Sequence, residues 1–179
     1  MSSPKRLFLI DGMALIYRSH FALIKNPLMT SDGRYTSAIF GFMNSLFKLL
    51  KDEDPDYIAI VLDSKEPTFR HELFTDYKAT REKMPDELVE QLNPLFQIID
   101  YANIPMIKYP GFEADDIMAT VAQKAKEIDV QTYIVTGDKD MMQVVDEDIF
   151  IYSPGNRFKP TTIYNKDKVV KKWGIPPEK

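Results

Sequence analysis

Two uninterrupted apolar runs constrain the fold of this chain more than any other feature in it. Arg6-Leu7-Phe8-Leu9-Ile10 and Tyr57-Ile58-Ala59-Ile60-Val61-Leu62 lack the polar alternation of a half-exposed strand, so each fits a strand buried on both faces. Each stops at an aspartate, Asp11 or Asp63. The sequence between them has helical spacing. Residues 13–23 place Leu15, Ile16, Ser19 and Ala22 or Leu23 on one side, while Pro27, Ser31, Asp32 and Gly33 make a loop of 26–36. Residues 37–51 form a second, strongly apolar helix. Beyond Asp63 the pattern repeats: a helix over 85–102, a short third strand over 104–108, a helix starting at a group of acids near 113, a fourth strand over 131–135 and a fifth over 148–152. Strands separated by more than a dozen residues run parallel and are joined by right-handed crossovers. The expected fold is α/β: a three-layer α/β/α sandwich with a mainly parallel central sheet, in a single domain of 179 residues.

Open parallel sheets bind ligands at the carboxyl ends of their strands, and there this chain gathers acids. Gly111-Phe112-Glu113-Ala114-Asp115-Asp116 packs three carboxylates into four residues at the start of a helical run, Ile117-Met118-Ala119-Thr120-Val121-Ala122. One or two acids suit a helix N-terminus without any function, because the first-turn N–H groups and the macrodipole attract negative charge. Three exceed that need. Asp115 beside Asp116 costs roughly 1 kcal/mol in water and several times that in a half-buried cleft, and a nearby cation would remove the conflict. The fourth strand ends in Thr136-Gly137-Asp138-Lys139-Asp140, so this architecture collects Asp11, Asp63, Glu113, Asp115, Asp116, Asp138 and Asp140 at one edge. Such a cluster destabilises the folded state unless divalent cations bind. Oxygen-only ligands select hard ions, Mg²⁺ or Mn²⁺, over zinc. Carboxylates spread widely enough for two ions about 4 Å apart suit in-line attack of water on a phosphodiester.

Composition narrows the class further. The absence of cysteine excludes disulfides and thiolate metal sites and suits a reducing cytosol, and the two histidines, His20 and His71, stand at no metal-ligand spacing and read as surface or packing residues. Met1-Ser2-Ser3-Pro4-Lys5-Arg6 leads straight into an apolar strand, and no apolar run is long enough to span a bilayer, so a cytoplasmic protein without a membrane partner is expected. There is no internal repeat and no low-complexity segment. Net charge is −4, which does not suggest a nucleic-acid binder, but residues 157–172 alone sum to +5 and leave −9 on the remainder. An acidic cluster that recruits cations beside basic segments that hold phosphates gives this pattern, and so does an ordinary basic C-terminal helix.

Residues 65–83 form the second informative stretch. They contain Phe69-Arg70-His71 and Asp76-Tyr77-Lys78-Ala79-Thr80-Arg81, with Lys78 and Arg81 three apart and so on one face if the segment is helical. Five basic residues against four acidic ones are compatible with a solvated helix. Tyr77 beside Lys78 is compatible with an aromatic that stacks a base while cations hold its phosphate.

Seven stretches, taken in order, resemble the N-terminal, PIN-like (resolvase-like) part of the bacterial 5′-3′ exonucleases, the flap endonuclease relatives found at the front of DNA polymerase I. They are Leu9-Ile10-Asp11-Gly12, Ala38-Ile39-Phe40-Gly41-Phe42, Val61-Leu62-Asp63, Phe69-Arg70-His71-Glu72, Tyr77-Lys78-Ala79-Thr80-Arg81, Gly111-Phe112-Glu113-Ala114-Asp115-Asp116 and Thr136-Gly137-Asp138-Lys139-Asp140. The resemblance implies a metal-dependent phosphodiester hydrolase of DNA replication and repair, acting on DNA with 5′ ends or 5′ flaps. It also implies a monomer in the bacterial cytoplasm, associated with the nucleoid. By the same resemblance Asp11, Asp63, Glu113 and Asp115 are ligands of a first Mg²⁺ or Mn²⁺, and Asp116, Asp138 and Asp140 serve a second. Lys78 and Arg81 are the catalytic pair on the scissile phosphate, with Tyr77 and Arg70 beside them at the DNA, and a mobile arch or clamp lies near 65–85. In the family the chain continues past the equivalent of Trp173-Gly174-Ile175-Pro176 into a Gly-Asp-x-Ser-Asp-Asn stretch and a helix-hairpin-helix relative. Neither occurs here, so the expectation is a piece of a longer nuclease, one that binds metal and cleaves slowly on its own.

Other classes predict other residues. A haloacid-dehalogenase-type phosphatase needs Asp-x-Asp after the first strand, where this chain has Asp11-Gly12-Met13. A PIN-type ribonuclease would carry similar carboxylates and act on RNA, whereas Tyr77-Lys78-Ala79-Thr80-Arg81 favours the DNA enzyme. A DNA- or metal-binding module without turnover is the reading from a different class.

Overall fold

The computed structural model describes residues 3–64, 66–74, 77, 82–155 and 159–179. Along them run β1 (Lys5–Asp11), α1 (Gly12–Ala22), α2 (Ser37–Glu53), β2 (Tyr57–Val61), α3 (Phe69–Leu73), α4 (Asp86–Tyr101) and β3 (Met106–Ile107). There follow α5 (Ala114–Lys126), β4 (Val130–Val135), a short 3-10 helix (Asp140–Val144), β5 (Ile149–Ser153), β6 (Thr162–Tyr164) and α6 (Lys166–Trp173). The strands form one sheet in the order β3-β2-β1-β4-β5-β6. All neighbours are parallel except β5 and β6.

The apolar runs behave as their composition demands. Successive residues of β1 point to opposite faces, and both faces are covered. Phe8 and Ile10 enter a core with Leu15 and Ile16 of α1, Phe42 and Leu46 of α2, and Leu88 and Leu95 of α4. Leu9 enters the opposite core with Val61, Met118 of α5, Met141 and Val169 of α6. Each such fully buried side chain contributes about 1.5–3 kcal/mol, and together the two cores make the three-layer sandwich. On the first face α1 and α2 approach closely at Gly41, where a Cβ would lie 2.8 Å from the Ser19 Cβ. The helix start at α2 has no capping side chain of its own. Buried Gln91 of α4 fills that role, its Oε1 accepting from the Ala38 N–H at 2.8 Å and its amide donating to the Glu87 carbonyl at 2.6 Å.

Strand order reverses at β1. The chain passes from β1 outward through β2 to β3, then returns to lay β4 on the other side of β1. The carboxyl ends of β1 and β4 therefore flank the switch point where open α/β sheets bind ligands. Register sets the next positions: Asp11 lies opposite Val61, so Asp63 falls one pleat further along the same face.

The structure departs from the sequence reading in two places. The third strand is only Met106–Ile107, since the flanking residues leave the ladder. An antiparallel edge strand, β6, precedes the basic helix, which starts at Lys166 behind Asn165, whose side chain accepts from the Lys168 N–H at 3.0 Å. Three residues after a proline carry too little periodicity to announce a strand. Within the expected arch near 65–85, residues 65, 75, 76 and 78–81 lie outside the described residues. The described part contains α3, capped by Thr68 and His71 and held to the loop before α5 by the Phe69 N–H donating to the Gly111 carbonyl at 3.3 Å. His71 thus serves in a cap, and His20 is buried in α1. No helix among the described residues is long and apolar enough to cross a membrane.

Candidate metal centre

The carboxyl ends of β1, β2 and β4 and the start of α5 enclose a bowl of about 350 Å³ lined by Asp11, Asp63, Glu113, Asp115 and Asp138, with Met13, Tyr17 and Gly137 among the remaining wall. Five of the seven predicted carboxylates therefore meet. Four of them, Asp11, Asp63, Glu113 and Asp138, accept backbone N–H groups that fix them at the bowl.

Asp11 caps α1. Its Oδ1 accepts from the Ala14 N–H at 3.0 Å, and its Oδ2 accepts from the Thr136 hydroxyl at 2.9 Å. Gly12 follows in a tight place: a Cβ there would lie 2.6 Å from Leu62 Cδ2, 2.8 Å from Ile60 Cγ2 and 3.0 Å from the Val61 carbonyl oxygen, so a larger residue would have to displace its neighbours. Asp11 is 8% exposed, and burial raises its pKa above the usual aspartate value, against the hydrogen bonds from Ala14 and Thr136 and with added repulsion from Asp63 and Asp138. Asp63 Oδ1 accepts from the Ala114 N–H at 2.9 Å, so a residue from β2's end caps a helix 51 positions later. Asp138 is held by its own turn, its N–H donating to Thr136 Oγ1 at 3.1 Å and its Oδ1 accepting from the Asp140 N–H at 2.9 Å. Glu113 and Asp116 form a reciprocal capping box at the start of α5, the Glu113 N–H donating to Asp116 Oδ2 at 3.1 Å.

Asp115 is different. Among the described residues no hydrogen bond or ion pair reaches its carboxyl. Burial first, then the charges of Asp11, Asp138, Asp63 and Glu113, push its pKa up to about 6. A half-buried carboxyl ringed by four others, with no cation beside it among the described residues, has the environment of a site suited to a positive ligand.

Two predicted ligands stand elsewhere. Asp116 turns away from the bowl to Arg70, whose guanidinium donates from Nη1 to Oδ2 at 2.6 Å and from Nη2 to Oδ1 at 2.7 Å. The same fork lies 3.7 Å from Glu113 Oε2, which also accepts from the Tyr77 hydroxyl at 3.1 Å. Arg70 and Tyr77, expected at DNA, are thus joined to the rim of the bowl. Asp140 starts the 3-10 helix and lines a separate groove with Lys139 and Trp173. Capping and pairing with Arg70 explain Asp116 without a metal, and position explains why Asp140 does not line the bowl. Lys78 and Arg81 lie outside the described residues. Thr136 was not singled out from sequence; its signal is a hydroxyl directly before the Gly137-Asp138 turn of a buried strand.

The donor set is oxygen only and anionic, which fits a hard divalent cation. In this conformation no three of the described acidic or histidine side chains are drawn together tightly enough to grip one ion. The five carboxylates instead form a wide bowl, the arrangement suited to an ion that keeps part of its water shell.

Comparison with known proteins places the chain in a family. The family described as "5′-3′ exonuclease, N-terminal resolvase-like domain" matches residues 6–174. The 5′-3′ exonuclease of Aquifex aeolicus is 39% identical over 175 residues, covering 98% of this chain and 58% of that protein. The thermostable DNA polymerase I of Thermus thermophilus is 40% identical over 177 residues, covering 98% of this chain and 20% of that protein. The chain thus spans little more than half of the one relative and a fifth of the other. Bacteriophage T5 5′-exonuclease, solved with divalent metal ions bound, shares the fold at a TM-score of 0.76 and 17% identity, over 97% of this chain and 63% of that one. The T5 flap endonuclease in complex with DNA and metal ions superposes at a TM-score of 0.72 and 15% identity, over 96% of this chain and 61% of that one. With a family match over nearly its whole length and relatives at this identity, the chain belongs to the 5′-3′ exonuclease family, as its N-terminal resolvase-like domain.

Proposed function

We propose that this chain is the metal-dependent nuclease domain of a 5′-3′ exonuclease, hydrolysing DNA phosphodiesters at 5′ ends and 5′ flaps. The observation that carries the reading is Asp115, a carboxyl held near a pKa of 6 among Asp11, Asp63, Glu113 and Asp138 at the switch point of the sheet. Family membership supports the chemistry, as do the names of the relatives, a 5′-3′ exonuclease and DNA polymerases I.

Asp11, Asp63, Glu113 and Asp115 would hold a first Mg²⁺ or Mn²⁺, and Asp138 would serve a second. When bound, the ions supply Lewis acidity, lowering the pKa of water and neutralising charge on the phosphodiester oxygens. The protein's own groups do the rest. Thr136 and the Ala14 N–H keep both Asp11 oxygens in place, and the Ala114 N–H fixes Asp63, so the carboxylates need little reorganisation. Arg70 and Tyr77 brace Glu113 from the substrate side. Lys78 and Arg81 would meet the scissile phosphate. The same reading assigns a monomer acting on DNA in the bacterial cytoplasm, associated with the nucleoid; the bacterial relatives support the compartment.

The test is cleavage of a labelled 5′-flap oligonucleotide with Mg²⁺, with Mn²⁺ and with EDTA. Product that requires the ion and disappears with Asp115→Asn supports the reading. Equal product in EDTA, or none under any ion, contradicts it.

A further inference from the structure

Four of the six basic residues between 157 and 172 lie on α6, as Lys166, Lys168, Lys171 and Lys172, against one acid, Asp167. Lys166 is taken by Glu147 at 3.0 Å. The other three share one side of the helix: positions 168, 171 and 172 fall within about 100° of one another, while Val169 is turned into the core. Neutral oxygens position two of them, the Lys168 ammonium donating to the Ile163 carbonyl at 2.8 Å and that of Lys172 to the Tyr164 hydroxyl at 3.3 Å. Among the described residues no ion pair reaches Lys168, Lys171 or Lys172, although Asp167 stands one turn before Lys171. The helix macrodipole accounts for cations in the last turn, Lys171 and Lys172, but disfavours Lys168 in the first.

Trp173 joins this lysine face to the bowl. It ends α6, and its indole N–H donates to Met142 Sδ at 3.2 Å in the 3-10 helix of Asp140–Val144. The ammonium groups of Lys139 and Lys172 lie over its ring, 5.9 and 5.3 Å from the centroid. Lys139 directly follows Asp138, which lines the bowl. Positive charge therefore runs from the wall of the bowl over Trp173 to α6. Asp140 and Glu178 line the groove beside Trp173, whereas Lys168, Lys171 and Lys172 do not, so the cationic surface is the helix face. Ammonium groups one helical turn apart on flexible stems suit phosphates as point charges, and an indole already met by two ammonium groups offers no platform for a base. We propose that Lys139 and the Lys168, Lys171 and Lys172 face of α6 hold the phosphodiester backbone of the substrate DNA as it passes from the carboxylate bowl, without reading its sequence. The proposal rests on the nuclease reading above.

The surface carries its own reporter, because Trp173 is the single tryptophan of the chain. The test is titration of a 5′-flap oligonucleotide, with Ca²⁺ in place of Mg²⁺ to prevent turnover, read by tryptophan emission and by anisotropy of labelled DNA over a series of KCl concentrations. Binding to the wild type should change the Trp173 emission. Lys171→Ala and Lys172→Ala should each reduce the slope of log affinity against log salt by about 0.7–0.9, the loss of one phosphate contact, and by the same amount for two oligonucleotides of unrelated sequence. Lys172→Arg should keep the wild-type slope. Lys124→Ala, in the last turn of α5, removes the same charge elsewhere and should leave the slope unchanged. Melting curves confirm that the variants are folded, and Lys171, with no described partner, can be replaced without endangering the fold. A wild type that binds DNA with its tryptophan emission unmoved overturns the α6 proposal alone. So does a slope unchanged in the Lys171 and Lys172 variants, or reduced as much by Lys124→Ala. A wild type that binds no DNA at low salt overturns the nuclease reading and the α6 proposal together.

Discussion

At the amino edge of the sheet, Asp146 meets the Lys126 ammonium and Glu53 faces Arg6 at 3.5 Å; at the carboxyl edge, Asp11, Asp63, Asp115 and Asp138 have no cation among the described residues. The acids are of one kind and their surroundings opposite in sign. Burial pushes Asp146 up, but the hydrogen bond from Lys126 and the N–H groups of Asp148 and Ile149 together outweigh it and hold the carboxyl below the usual value. Burial pushes Asp11 and Asp115 up, and neighbouring carboxylates push the same way. One edge uses acids to stabilise the fold, and the other gathers like charge at a cost in stability. Glu113 and Asp116 stand between the two cases, on the rim with Arg70.

The largest expected effect comes from exchanging one acid at each edge. Asp115→Asn should lower turnover on a 5′-flap substrate by about 10²–10³-fold, as loss of a preorganised electrostatic group does. Asp146→Asn should leave turnover within about twofold while costing about 1–2 kcal/mol of stability, because Lys126 loses its partner and two N–H groups lose a charged acceptor. Denaturant melts and single-turnover rates on both variants check this, and similar turnover in the two would erase the distinction between the edges. Next in size, Lys78→Ala and Arg81→Ala should each lower turnover on the order of 10²-fold with divalent-ion affinity little changed, since their charges are assigned to the phosphate; isothermal titration beside the rates separates the two effects.

The pH dependence of stability sharpens the comparison further. Asp115 has a folded pKa of about 6 against an ordinary aspartate value of 3.8, so without metal the folded state binds its proton more tightly. Its contribution is fully present below about pH 4 and lost as pH rises through 6. Asp146 has the opposite sign: its contribution is present above the unfolded value and lost as pH falls through the lowered folded one. Metal-free melts between pH 4 and 7 should show Asp115→Asn flattening the decline towards neutral pH by about 1–2 kcal/mol, the linkage of a carboxyl raised to about 6, discounted for partial exposure. An unchanged slope would show that Asp115 is not strained by its neighbours. The smallest effect belongs to the rim. Asp116→Asn should change Mg²⁺ affinity by less than about threefold while weakening the tie to Arg70, an interaction worth about 1 kcal/mol in a double-mutant cycle. A loss of metal affinity equal to that of Asp115→Asn would return Asp116 to the ligand set.

Much of this was legible in the residues, and where it was not the reasons are physical. The runs ending at Asp11 and Asp63 announce buried parallel strands because period-two alternation is missing, and the crossover rule then brings their ends to one edge. The acids at 113, 115, 138, 11 and 63 meet for that reason alone. Sequence could not separate Asp115 from Asp116, since adjacent helical positions point about 100° apart and only the packing of α3 decides which one meets Arg70. It could not place Thr136 on Asp11 either, a contact across 125 residues. The edge strand β6 escaped because three residues hold no pattern.

The most direct test of the central claim is the melting temperature of the wild type and of Asp138→Asn, each with and without Mg²⁺. A ligand that binds only the folded state stabilises it by about 2.7 kcal/mol at a hundred times its Kd. If the carboxyl edge is a cation site, Mg²⁺ raises the wild-type melting temperature, metal-free Asp138→Asn melts above the metal-free wild type because one repelling charge is gone, and the variant responds less to the ion. If Mg²⁺ leaves the wild type unmoved and Asp138→Asn lowers the metal-free melting temperature, the acids at this edge hold the fold together, and the claim that they gather charge for a cation is wrong.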